Sequence, residues 1–405
     1  MKRKPIALLL ILSMLLALSL TGCGKDTALT VYAEGNFIRQ DLIDAFTEET
    51  GIEVNYIIGT RSPAETKAKT DDANSTKSDS SADEEVVLPE ESPVDVLSEV
   101  RAWKEEDTKA RAESSESDGT VCEYDVILTD QDILSQLKEE DCLMELDTKK
   151  VSNYDNIAKK YRKLNGDGAL YGIPALWGIA GIVWDTKLVD AQVSSWDILW
   201  DETYKGKIVM PATARECAAV ALKRQGKDVN TTDKKELEDA YKLLEEQKDL
   251  AAGYTSRVAY TMMTNQSAAM AVADSGAAID MMSNNANLAF ALPDEGSWRV
   301  CYSYCVTAGT EWPEEAQKFI NYMCSANNLA KNAVYSKYST TSGAALKKMN
   351  QSWHDNPLAY PDESIRKQSP FLTGLPAETE TLHGSLFAQL TGADKAAADS
   401  NNPQS

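Results

Sequence analysis

The stretch Leu29-Thr30-Val31-Tyr32-Ala33-Glu34-Gly35-Asn36-Phe37-Ile38-Arg39-Gln40-Asp41-Leu42-Ile43-Asp44-Ala45-Phe46-Thr47-Glu48-Glu49-Thr50-Gly51-Ile52-Glu53-Val54-Asn55-Tyr56-Ile57-Ile58 changes its hydrophobic period twice. Leu29 to Tyr32 is a short β-type run, and Ile38, Leu42, Ile43 and Phe46 then recur at helical spacing. Gly51 is placed to close that helix with a left-handed residue, which glycine adopts without a Cβ clash, and Ile52 to Ile58 reads as the next strand. A strand, helix and strand in this order form the βαβ unit of a parallel, doubly wound sheet, so the expected fold class is α/β.

Toward the C-terminus the pattern repeats. Tyr124 to Thr129 is a buried-strand run, and the helix after it carries Ile133, Leu134 and Leu137. Leu170 to Pro174 and Trp177 to Trp184 read as two apolar strands crossing between lobes. Ser195 caps a short helix through Trp200, Gly206 turns the chain into strand Lys207 to Met210, and Ala214 to Gln225 reads as a helix. Asp233 and Glu236 make a capping pair for a long helix, Lys234 to Leu250. Leu288 to Pro293 and Arg299 to Thr307 read as strands, and Pro313 opens a helix with Ala316, Phe319, Ile320 and Met323 on one face.

Upstream, Met1-Lys2-Arg3-Lys4 precedes an apolar run from Pro5 to Leu20 that is too short for a membrane span of about 20 residues. It reads as a secretory signal ending in Leu20-Thr21-Gly22-Cys23, which resembles a lipobox. Cleavage before Cys23 would leave that residue acylated and the chain anchored on the outer face of the cytoplasmic membrane, at a cell surface or in a periplasm. The mature chain exceeds the size at which one core keeps growing, so two lobes are expected.

A net charge of -22 argues against nucleic acid and weakly favours a cationic ligand. His354 and His383 lack metal-ligand spacing, so neither a metal site nor a His-based triad is expected, and no motif calls for a cofactor. Cys122, Cys142, Cys217, Cys301, Cys305 and Cys324 are irregularly spaced. Cys301 and Cys305 would share one strand face as small core residues. From Ser62 to Gly119 the composition turns polar and acidic, an exposed insertion in which Val94 to Arg111 could dock as one helix through Val94, Val96, Leu97, Val100 and Trp103.

Ordered segments over most of the chain resemble the spermidine/putrescine-binding family, the solute receptors of polyamine ABC importers. They are Ala45 to Val54, Tyr124-Asp125-Val126, Tyr171-Gly172-Ile173-Pro174 with Trp177-Gly178, Ser195 to Trp200, and Tyr204 to Lys207. Ala214-Arg215-Glu216, Asn230 to Asp233 and Lys318 to Tyr322 complete the set. The resemblance implies a two-lobed periplasmic-binding-protein fold of type II with crossing hinge strands. It implies a polyamine clamped between the lobes, ABC permease subunits as partners, no enzymatic activity, and a monomer. The implied layout is a signal at 1–22, a tether at 23–28, a first lobe from 29–61, 120–148 and 303–345, and the insertion at 62–119. The second lobe is built from 149–302 and 346–390, with a disordered tail at 391–405.

By the resemblance, Glu216 is a ligand carboxylate, Tyr338 a binding tyrosine and Thr129 a hydroxyl at a strand end. Phe37 matches one aromatic position. The chain departs from the family at Glu34 and Gln131, which replace aromatics, and at Thr213, which replaces an acid. Val300 and Tyr302 replace a Trp and an amine-binding Asp. Asp130, Asp132 and Glu34 are neighbouring acids that could compensate. Each residue also has a structural reading. Thr129, Asp130, Gln131 and Asp132 could cap a helix, Glu216 could serve a helix dipole, and Tyr338 or Trp177 could be core aromatics. Arg215 could hold an acidic group of a zwitterionic or amino-acid-like solute, or pair with Glu216 or a carbonyl. A sensor or interaction lipoprotein is a further alternative. A surface enzyme has no nucleophile or phosphate-loop motif behind it.

Overall fold

The structure, a computed structural model, describes residues 28–59, 95–113, 119–165, 168–255 and 257–392. The signal at 1–22, Cys23 with its tether to residue 27, insertion residues 62–94 and 114–118, and tail residues 393–405 lie outside the described residues.

Strands β1 (Ala28–Ala33) and β2 (Glu53–Ile58) pair in parallel through helix α1 (Gln40–Thr50). Gly51 closes α1 at φ 73°, its N–H donating to the Thr47 carbonyl. Helix α2 (Val96–Glu113) is the docked part of the insertion, with Val96 and Val100 buried beside Tyr32 and Leu134. β3 (Val126–Asp130) lies parallel to β1 and leads into helix α3 (Gln131–Glu139).

Where two apolar strands were expected, the chain forms a single thirteen-residue strand, β4 (Ile173–Asp185). Pro174, Gly178 and Gly181 lie within it without breaking it. Pro174 cannot donate to the ladder, and the irregularity takes the form of a register shift between Pro174 and Leu176. β5 (Ile208–Met210), helices α4 (Ala214–Arg224) and α5 (Lys234–Lys248), β6 (Ala251–Tyr254), helix α6 (Arg257–Thr264), β7 (Met270–Asp274), helix α7 (Ser275–Asn284) and β8 (Leu288–Ala291) follow. The return strand β9 (Arg299–Val306) is antiparallel to both β3 and β4. Helices α8 (Pro313–Met323) and α9 (Ala326–Ser336), strand β10 (Ser339–Thr340) and helix α10 (Ala377–Thr391) complete the longer elements.

The strands run β2-β1-β3-β9-β4-β7-β5-β6, with β8 and β10 also on β4. β4 is the crossing. Its first half, Ile173 to Ile179, pairs with β9, and its second half, Ala180 to Trp184, pairs with β7. The two half-sheets are therefore the sheets of two lobes, and every β4 residue except the half-buried Trp184 is buried.

The turn Ser152–Asn156, within the segment expected in the second lobe, packs on α8. The Asn153 N–H donates to Asn321 Oδ1 at 2.9 Å and its amide to the Asn321 carbonyl at 2.8 Å. A capping box was expected at α5. Asp233 does cap the Lys235 and Glu236 N–H groups, but Glu236 turns away to Lys227 and Thr231, which offer a charge and a hydroxyl. The six cysteines from Cys122 onward are buried free thiols.

Candidate functional site

The residues named at the strand ends gather where the half-sheets face each other. Glu34 follows β1, its N–H donating to the Leu128 carbonyl at 3.3 Å, and its carboxylate accepts a hydrogen bond from the Thr129 hydroxyl. Both side chains are buried. Asp130 takes the helix-capping role, its Oδ1 accepting from the Asp132 and Ile133 N–H groups. Gln131 points elsewhere, donating to Ser303 Oγ at 2.7 Å.

Beside this run three aromatic rings meet. Phe37 comes from the turn before α1, Tyr302 lies opposite Asp130 in the ladder, and Tyr338 follows α9. Ring centroids are 4.7 Å apart for Phe37 and Tyr302, 5.0 Å for Phe37 and Tyr338, and 5.3 Å for Tyr302 and Tyr338, all tilted or edge-on. Lys337 adopts φ 67°, a left-handed conformation costly for a side chain, and so ends α9 and aims Tyr338 inward. The ring rests on two glycines, Gly276 of α7 and Gly178 of β4.

The carboxylate at this point is Asp274, which ends β7 opposite Ala180 where β4 changes partners. Its Oδ2 accepts from the Tyr338 hydroxyl at 2.8 Å and the Tyr302 hydroxyl at 3.3 Å, while Oδ1 caps α7 through the Ala277 N–H at 3.0 Å. Sequence reasoning did not single it out. The available signal was an acid at the C-terminal end of a strand just before a helix, the position where open α/β sheets bind ligands.

A second group centres on Arg215, only 4% exposed in α4. Its guanidinium donates to Asp132 Oδ1 at 3.2 Å, Glu380 Oε1 at 2.8 Å, Asn230 Oδ1 at 3.2 Å and the Thr373 carbonyl at 3.3 Å. Asp132 belongs to the first half and Glu380 to α10, so the ion pair spans the two halves. Burial pushes the Asp132 carboxyl well above its usual range; Arg215 opposes this, while Asp130 and Glu380 reinforce it. Glu216 is brought to Thr213, whose hydroxyl caps the Glu216 N–H at 3.2 Å and donates to its carboxylate at 3.1 Å. The expected alternative pairing of Arg215 with Glu216 is replaced by Asp132 and Glu380. Trp177 is a fully buried core ring, its Nε1 donating to the Thr340 carbonyl.

Among the described residues, the carboxylates of Glu34, Asp130, Asp132, Glu216, Asp274 and Glu380 stand around the facing surfaces together with the guanidinium of Arg215. Such a surface is suited to receive cationic groups and aliphatic segments. Among the described residues no group of three or more His, Cys, Asp or Glu side chains could hold a metal ion, and no described helix is long and apolar enough to cross a membrane.

Residues 94–361 match the family model of the bacterial extracellular solute-binding proteins. The chain is 28% identical to the spermidine/putrescine-binding periplasmic protein of Escherichia coli over 259 residues, which is 60% of this chain and 71% of that protein. It is 24% identical to a putrescine/agmatine-binding protein of Pseudomonas aeruginosa over 66% of this chain and 78% of the relative. Among solved structures, a spermidine/putrescine ABC transporter substrate-binding protein from Streptococcus pneumoniae superposes with TM-score 0.66 at 25% identity, covering 90% of this chain and 98% of that one. A putative spermidine/putrescine ABC transporter protein from Listeria monocytogenes gives TM-score 0.71 at 24% identity over the same shares. Two half-sheets joined by β4, facing surfaces rich in acids and rings, and this match over more than half of the chain agree: the chain belongs to the bacterial extracellular solute-binding proteins and is a binding protein, not an enzyme.

Proposed function

We propose that the chain is the receptor of an ABC importer and that it captures a polyamine of the putrescine or spermidine class between its half-sheets for delivery to permease subunits. The observation that carries the reading is the content of the facing surfaces among the described residues: three rings in contact and six carboxylates beside the Arg215 guanidinium. A polyammonium chain needs acidic acceptors for its ends and aromatic faces for its methylenes. Glu34, Phe37, Thr129, Asp130, Glu216, Tyr302 and Tyr338 are the proposed lining, with Gln131 hydrogen-bonded to Ser303 Oγ and Thr213 positioning Glu216. The zwitterion alternative would use Arg215 to hold an anionic group, and both terminal nitrogens of Arg215 are already directed at protein acceptors. Acylation at Cys23 would hold this receptor at the membrane as a monomer.

The test is melting of the protein from Gly24 onward against putrescine, spermidine, amino acids and zwitterions. A ligand at a hundredfold excess over Kd adds about 2.7 kcal/mol of stability. Shifts confined to polyamines support the reading, and shifts confined to amino acids or zwitterions overturn it.

A further inference from the structure

Tyr302 stands opposite Asp130 in the β3–β9 ladder, and a phenol cannot supply a negative charge at neutral pH. The structure places a carboxylate at that phenol from the opposite half-sheet. Asp274 Oδ2 receives both the Tyr302 and the Tyr338 hydroxyl protons, so the two phenol oxygens are turned toward one acid and polarised by it. A phenol that donates to a carboxylate becomes a better acceptor for an ammonium N–H. Phe37, Tyr302 and Tyr338 pack ring against ring at this point, and Asp274 beside them is only half-buried.

We propose that Asp274, through Tyr302 and Tyr338, is the amine-selecting group of this protein, and that the head it recognises is a primary ammonium, not a quaternary one. The proposal rests on the polyamine reading above and sharpens it. Aromatic faces alone would accept a methylated cation, whereas acceptor oxygens reward N–H donors that a trimethylammonium lacks.

Two variants and two ligands test it. D274N keeps an oxygen to cap α7 at the Ala277 N–H and removes only the charge. Titration calorimetry with putrescine and with its bis-trimethylammonium counterpart reads both affinity and preference. The wild-type chain is expected to prefer the primary diamine by about 30-fold or more, and D274N to lose about 30-fold for putrescine while its preference largely collapses. If D274N destabilises the fold, the double variant Y302F/Y338F, which leaves Asp274 in place, should show the same collapse of preference. Putrescine binding by D274N, or by the double variant, within threefold of wild type with the preference intact overturns the assignment of Asp274 and leaves the polyamine reading standing. Failure of the wild-type chain to bind any amine overturns both.

Discussion

Replacing Gly276 by Ala tests whether the Tyr338 ring depends on its glycine seat. A Cβ at this position would lie 2.4 Å from Tyr338 Cε2, 2.5 Å from Cδ2 and 2.7 Å from Cζ. Ordinary carbon–carbon contact begins at about 3.5 Å, so the ring must retreat by about 1 Å. Retreat strains the 2.8 Å hydrogen bond to Asp274 and drives the ring toward Phe37 and Tyr302, whose centroids are already 5.0 and 5.3 Å away. The expected cost is about 1–3 kcal/mol, the range for overpacking a filled site. Opposing it, Ala at a position without positive φ gains about 0.4–1 kcal/mol over Gly. Denaturant unfolding should therefore show a net loss of about 1–2 kcal/mol, with weaker ligand binding. In a Tyr338→Ala background the clash partner is gone, and Gly276→Ala should become neutral or stabilising. Equal destabilisation in both backgrounds would refute the argument, because the cost would then arise in the helix and not at the ring.

Two other substitutions probe the group around Arg215. Arg215→Ala strands Asp132 and Glu380 without their shared cation and should cost about 3–5 kcal/mol at pH 7. Protonation of Asp132, already favoured by burial, should recover part of that loss at pH 5; equal losses at both pH values would show that charge is not the cause. His383 is buried, with Tyr241 against its Nδ1, and burial together with Arg215 lowers its pKa to about 3. Because the folded value lies below that of the unfolded chain, the unfolded state binds the extra proton, and stability falls as pH drops from about 6.5 toward 3, by up to about 4 kcal/mol. Asp132, whose pKa is raised, contributes in the opposite sense. His383→Phe should flatten the pH dependence of unfolding by up to about one proton, and an unchanged slope would count against the assignment.

The elements that were legible in the sequence are those whose signal is local. The period change across residues 29–58 located β1, α1 and β2 because each buries one face or stripe against the same core, and Gly51 marked the stop because the αL cap tolerates little else. The break expected near Pro174 was read as a strand boundary. Proline does disturb the ladder there, but β4 is anchored along one side by β9 and beyond by β7, and tertiary pairing carries it through as a bulge. The site divides along the same line. Glu34, Phe37, Thr129, Asp130 and Tyr302 lie on the β1 and β3 turns or on the strand paired with β3; the family resemblance singled out Glu34, Phe37, Thr129 and Tyr302, and the strand-end position drew attention to Thr129 and Asp130. What Asp130 and Glu216 do is also local, one capping α3 and the other meeting its own N-cap threonine. Asp274 and Glu380 were not visible, because their partners lie 64 and 165 residues away and no spacing encodes that separation. The loss of an acid at Tyr302 read as a missing function, since one chain position was compared with one family position. In three dimensions the charge at that point is a property of the site, and a carboxylate from the facing half-sheet can provide it wherever the hinge strand brings the two halves together.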